Sequence, residues 1–275
     1  MTQSDHKIPQ PRCLAATAAP RLGTARLGSG LVPVALTLSA CTQPTADMNN
    51  IYYQWDGRTV LCAANTDDVI GVDHANIAAG LDRAVANREA VQYFAHTPGA
   101  TINRDDLEFT FAAAAERGLP FLTYRELLDD PTPRAALVFS FDDSAIDAWT
   151  ATRDMFARYH AHVTFFVSRF DHFNAAARAQ LQQLAADGHA IEAHSVQHLR
   201  APRYVETYGL QAYLDDEALP SINQLREAGF DTQLFAYPFG AHTHELDDAL
   251  LQHVRAVRSL SFVRTSQVTA DPCRR

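Results

Sequence analysis

Ala136-Leu137-Val138-Phe139-Ser140-Phe141-Asp142-Asp143-Ser144 decides the fold: a short apolar run stops abruptly on two adjacent carboxylates. Followed by the helix-like stretch Ala145 to Tyr159, it reads as a buried parallel strand that delivers its polar tip to the C-terminal edge of an α/β sheet or barrel. Active sites sit at that edge. Successive strand residues face opposite ways, so Asp142 and Asp143 share a site only where the strand ends and the backbone turns, and they should then do different jobs. A plain helix cap is the alternative, since Asp and Ser are preferred N-caps.

Outward from the strand lies a second cluster, Gly188-His189-Ala190-Ile191-Glu192-Ala193-His194-Ser195-Val196-Gln197-His198. Two His at i and i+4 lie on one helical face, or on a strand tip and the turn after it, and neutral imidazoles so placed can converge on one metal ion. A structural His pair is the alternative unless a third ligand exists. Asp143 could be that ligand. One carboxylate and two imidazoles leave the fourth position of a tetrahedral zinc open for water, the arrangement of a catalytic site.

Three stretches in this order, Phe141-Asp142-Asp143-Ser144, His194-Ser195-Val196-Gln197-His198 and Phe235-Ala236-Tyr237-Pro238-Phe239-Gly240, resemble the first three motifs of the polysaccharide deacetylases, the NodB homology domain of carbohydrate esterase family 4. The resemblance covers about residues 90 to 260 and implies an α/β fold, a distorted (β/α) barrel with fewer than eight regular strands. It implies a Zn2+ site, or one for Co2+ or Ni2+, held by Asp143, His194 and His198. Asp142 matches the catalytic base, and Ser195 the residue that orients the metal loop by hydrogen bonding. Phe239 matches the residue whose backbone N–H helps hold the oxyanion, with Tyr237 and Pro238 in the groove-forming turn. A tight turn built by Pro and Gly is the plainer reading of that last motif.

Three departures stand out. Ser144 replaces the Gly that usually follows the two Asp, which matters only if the backbone needs positive φ there. Ala236 replaces an Arg that tunes the base in many members, so another group is expected to do so. The family's acid His lies in a Leu-x-His motif on a late strand; Leu251-Gln252-His253 has the letters but sits on a helix end, and reads as a solvated His. The tail to Arg275 then reads as a truncated or divergent C-terminal end. The acid is missing or comes from another His, with His96, His242 and His244 as loop candidates. Trp149 and Tyr213 read first as packing.

From Thr59 onward strands and helices alternate, which means a parallel sheet with right-handed crossovers and, at this length, a barrel rather than two domains. Strands are expected at residues 59–64, 91–95, 120–123, 162–167, 189–192, 233–236 and 254–257, and a helical region at 205–229 interrupted near Pro220. Residues 1–40 read as a lipoprotein-type signal peptide: Arg12, Arg21 and Arg26 precede an apolar core, and Leu38-Ser39-Ala40-Cys41 resembles the lipoprotein box. Its length is unusual and the true start could be later. The expectation is an exported protein anchored to the membrane through lipid on Cys41, at the periplasmic or outer-membrane face. Residues 41–58 read as a tether and 59–275 as the barrel domain.

The formal charge of −9 falls further when the leader removes Lys7, Arg12, Arg21 and Arg26 against Asp5 alone. No basic stripe fits nucleic acid, and neutral polymers suit such a domain better than polyanions. The mature cysteines Cys62 and Cys273 form no metal or redox pair; whether they join in a disulfide, and the oligomeric state, the sequence leaves open. The expected activity is metal-dependent removal of N-acetyl groups from an acetylated cell-wall or exported polysaccharide. Alternatives are an O-acetyl esterase or cyclic-amide hydrolase on the same site, and a non-catalytic glycan-binding lipoprotein, which the missing acid motif motivates.

Overall fold

The computed structural model describes residues 44–261 and Cys273. Its strands are β1 (Tyr52–Tyr53), β2 (Val60–Asn65), β3 (Ala90–Ala95), β4 (Phe121–Leu122), β5 (Ala136–Asp143), β6 (Thr164–Val167), β7 (Ala190–Ala193), β8 (Leu234–Ala236) and β9 (Ala256–Leu260). The helices are α1 (His74–Asn87), α2 (Arg104–Glu116), α3 (Tyr124–Asp129), α4 (Ile146–Thr150), α5 (Arg153–Tyr159), α6 (Ala175–Ala186), α7 (Ala201–Tyr208), α8 (Leu210–Tyr213), α9 (Leu219–Glu227) and α10 (His244–Leu250).

Seven parallel strands close on themselves in the cycle β2, β3, β5, β6, β7, β8, β9 and back to β2. The expected distorted (β/α) barrel is therefore correct. Its irregularity is local. β2 meets β3 only near the C-terminal ends, at Ala64↔Tyr93 and Asn65↔Phe94, and β1 runs antiparallel along the lower part of β3. β4 likewise pairs with β5 below the level where β6 takes over.

Side-chain alternation separates two cores. Leu137, Phe139 and Phe141 on β5 point outward into the large cluster beneath the helices, where Phe165, Ile191, Phe235 and Val257 join them. Ala136 and Val138 point into the barrel with Leu61, Ala90, Phe166, Leu234, Ala236 and Ala256. The same period of two carries Asp142 inward at the top of β5.

Several readings need correction. Residues 41–58 are not a free tether: from Thr45 they fold onto the barrel, with Met48, Ile51 and Tyr52 buried and β1 paired to β3. Short 3-10 turns and a two-residue strand carry no periodicity to read. The helix after β5 breaks at Ala151–Thr152, and α3 was not anticipated although Thr123 and Glu126 form a reciprocal capping box. Pro220 opens α9 rather than interrupting a helix, after a π-helical turn at Leu214–Ala218. β9 pairs with β2 and closes the cycle, while the tail read as truncated or divergent lies, apart from Cys273, outside the described residues. Cys273 and Cys62 are joined by a disulfide with Cα atoms 5.8 Å apart. No described helix is long and apolar enough to cross a membrane. The signal peptide and Cys41 lie outside the described residues.

Candidate active site

Asp143, His194 and His198 meet at the C-terminal mouth, with ligand atoms all within 4.8 Å of one another. Asp143 Oδ1 lies 3.1 Å from His198 Nε2 and 3.7 Å from His194 Nε2. His194 Nδ1 is 2.8 Å from the Ala236 carbonyl, which fixes the tautomer: Nδ1–H donates there, and the Nε2 lone pair turns to the mouth. Burial, then the neighbouring His198, pushes the His194 pKa well below its ordinary value, and burial also lowers that of His198. Neutral imidazoles and a carboxylate are the donor set that a divalent cation needs. These residues fit a metal.

The two His are not on a helix. His194 follows β7 directly and His198 lies in the loop beyond it. Asp143 (φ 85°), Ser195 (φ 65°), His198 (φ 61°) and Phe239 (φ 60°) all adopt left-handed backbone. Non-glycine residues there carry strain that clusters at functional sites. At Asp143 the left-handed turn ends β5 and lets two consecutive Asp reach one mouth. Positive φ falls on Asp143 and not on Ser144, so a Ser in place of Gly is tolerated.

Loop geometry comes from buried acceptors. Ser195 is fully buried, and its Oγ accepts the His198 N–H at 2.9 Å, the loop-orienting role expected of it. Glu217 was missed. Its carboxylate accepts the Gln197 N–H at 2.9 Å and its carbonyl the Val196 N–H at 3.2 Å, from the π-helical turn. π-turns recur at functional sites, but nothing in Leu214-Asp215-Asp216-Glu217 signals one.

Asp142 is 2% exposed and forms a buried ion pair with Arg258 of β9. The guanidinium is sandwiched by the rings of Phe94 and Phe166, at 4.9 and 4.8 Å from their centroids. Arg258 is in register with Ala236 on the neighbouring strand, so the group paired with Asp142 comes from one strand over. Three residues after Val254-Arg255, an Arg in an apolar run was the available signal.

His96 completes the mouth. It follows β3, its Nδ1 pairs with Asp67 at the tip of β2, its own N–H donates to Asp67 Oδ1 at 3.1 Å, and Trp149 Nε1 donates to its carbonyl at 2.8 Å. Burial alone would lower its pKa, but the Asp67 hydrogen bond and the charges of Asp142, Asp67 and Asp143 raise it to about 9. Trp149 and Tyr213 are both core residues, and His253 is exposed, as anticipated.

The third motif is half corrected. Phe239 reaches the mouth, 47% exposed, its ring 4.7 Å from that of His198. Tyr237 and Pro238 are buried and line no groove: Tyr237 follows β8 on its outward phase and bonds Asp247 Oδ1 at 2.9 Å, with His242 stacked on it and paired to the same carboxylate. Gly240 lies so close to β9 that an added Cβ would sit 2.8 Å from the Leu260 N.

Fold and site together define a class: a parallel barrel whose mouth pairs a clamped carboxylate with three residues that could hold a metal ion. Residues 129–256 match the family model described as polysaccharide deacetylase. Among solved structures it is similar to the Streptococcus pyogenes deacetylase PplD (17% identity, 57% of this chain and 80% of that one, TM-score 0.45). It is similar also to IcaB from Ammonifex degensii (19%, 58% and 78%, 0.46) and to the deacetylase domain of BpsB from Bordetella bronchiseptica (15%, 55% and 82%, 0.44). No curated protein matches the chain.

Proposed function

We propose that the protein hydrolyses N-acetyl groups from an N-acetylated glycan with a divalent metal, zinc by donor set, held by Asp143, His194 and His198. The observation that carries this reading is the convergence, at one mouth, of the three candidate ligands with Asp142 beside them. Such a metal would polarise the acetyl carbonyl and acidify water at the site.

The chain's own residues supply the rest. Asp142, held in place by Arg258, takes the proton of the attacking water. The Phe239 N–H, at its exposed turn, donates to the oxygen of the former carbonyl as negative charge develops there. His96 is the acid for the leaving amine: Asp67 holds Nδ1, so Nε2 is the nitrogen that can give a proton, and a pKa near 9 keeps it charged at neutral pH. The non-catalytic alternative rested on a missing acid, and His96 removes that motive. The disulfide fits an oxidising compartment and so supports the export reading, with the anchor at Cys41 remaining part of the proposal.

The test is acetate release from N-acetylglucosamine oligomers by chelator-stripped and zinc-reloaded protein. Zinc-dependent release that disappears in His198→Ala is expected. No release from protein carrying stoichiometric zinc would overturn the reading.

A further inference from the structure

Most described arginines are occupied: Arg58, Arg83, Arg117, Arg125, Arg134, Arg153, Arg158, Arg255 and Arg258 face carboxylates, and Arg88, Arg104, Arg178 and Arg226 bond carbonyls. Among the described residues, the guanidinium groups of Arg169, Arg200 and Arg203 have neither hydrogen bond nor ion pair. Two of these three flank a metal ligand.

Arg200, two residues beyond His198, stacks its guanidinium 4.8 Å from the Phe239 ring centroid, and that ring lies 4.7 Å from the His198 ring. Arg169 follows β6 on the other side. It is exposed, its backbone is left-handed (φ 56°), and its N–H donates to the Ser195 carbonyl at 3.4 Å, which presses it against the metal loop. Its charge reaches the His198 ring. The carboxylates at this mouth are already engaged: Asp142 by Arg258, Asp143 by the two imidazoles and Asp67 by His96.

In a chain with 32 acidic residues against 23 basic ones, a surface guanidinium readily finds a carboxylate. Two left free beside the candidate metal loop, one of them stacked on an aromatic ring, are available to donate to an anion. A guanidinium matches a carboxylate in a planar, two-pronged fork, and its stacking on an aromatic face leaves its edge free to donate. The net negative charge does not prevent this. Distant charges are screened beyond about 8 Å at physiological ionic strength, whereas contact pairs are not.

We propose that Arg169 and Arg200 form a carboxylate-recognition pair beside His198, so that the preferred substrate is an N-acetylated glycan bearing a carboxylate on the acetylated sugar or its immediate neighbour. The proposal rests on the deacetylase reading for the chemistry but not for the binding. It narrows the earlier preference for neutral polymers: the polymer needs few charges, one of them placed at the scissile sugar.

Binding is measured by calorimetry on the zinc-loaded full chain carrying Asp142→Asn to stop turnover. Three probes are used: an N-acetylglucosamine–N-acetylmuramic acid disaccharide, its carboxyl methyl ester, and neutral di-N-acetylchitobiose. The free carboxylate is expected to bind at least about tenfold more tightly than the other two, which is about 1.4 kcal/mol. Adding Arg169→Gln and Arg200→Gln should abolish that difference. Equal affinity for all three probes overturns the proposal, and the ester comparison decides this without any arginine variant. A preference that survives the double substitution overturns it too, since the carboxylate would then be on the metal or on the Arg258 that Asp142→Asn leaves unpaired. Acetate release by the Asp142-containing protein is scored separately. Preference without release sinks the deacetylase reading and leaves the recognition pair standing; release without preference does the reverse.

Discussion

At Asp142 the carboxylate is buried and its ion-pair partner is Arg258, so that guanidinium bears on folding and, on the proposed reading, on the chemistry there. Removing it in Arg258→Ala leaves an uncompensated buried carboxylate, at a cost of about 3–5 kcal/mol. Denaturant unfolding of metal-free protein checks this. The same change should lower kcat/KM roughly 100-fold through a misplaced base, with Arg258→Lys intermediate. His96 gives a prediction in pH. Its folded pKa, about 9, lies above the ordinary value of about 6.5. Its contribution to stability is therefore whole below about pH 6.5 and lost as pH rises through about 9. Activity should fall along the same basic limb as the acid loses its proton. His96→Gln should cut kcat roughly 100-fold and erase that limb, whereas Asp67→Asn should move it toward about pH 6.5. A limb unmoved in Asp67→Asn would remove His96 from the acid's role.

At the scale of elements, the site is three short connections after β5, β7 and β8, each held from beneath. Glu217 holds the loop after β7, and Asp247 of α10 holds the turn after β8 through Tyr237 and His242. Asp247→Ala strips both of that acceptor in a buried place. It should cost about 1–3 kcal/mol and raise KM more than it lowers kcat, because Phe239 is displaced while the Asp and His residues stay. Steady-state kinetics beside a melting curve would separate the two effects. The motif-bearing connections were legible because each packs its chemistry into consecutive letters: Asp142-Asp143 ends a strand, and His194 to His198 spans one loop. Their supports were not. Arg258, His96 with Asp67, and Glu217 arrive from distant strands or a π-turn, and only closure of the barrel makes them neighbours. Tyr237 was read into the groove for a related reason. Its letter belongs to the motif, but strand phase turns it to the outer core. The alternation of strands and helices made the fold itself legible from residue 59 onward; β1 and the turns before it, too short for any period, were not.

For the whole molecule, closure is the organising fact. A chain that begins at residue 59 forfeits burial of Met48 and Ile51, at roughly 1.5–3 kcal/mol each, and of Tyr52 besides. That is a large part of the stability of an ordinary domain. It should melt far lower than a chain begun at residue 44, by circular dichroism. The disulfide ties Cys62 of β2 to a point 211 residues later. Cys62→Ser with Cys273→Ser should cost about 2–5 kcal/mol, read as a lower denaturant midpoint that reductant no longer shifts, with metal binding unaffected. Closure also has a meaning in time. Synthesis runs from the N-terminus, so all three motifs leave the ribosome before β9, and the cation paired with Asp142 is made after them. On the proposed reading, a chain cut short of residue 258 would hold the candidate metal ligands without the partner of Asp142, and it should release no acetate.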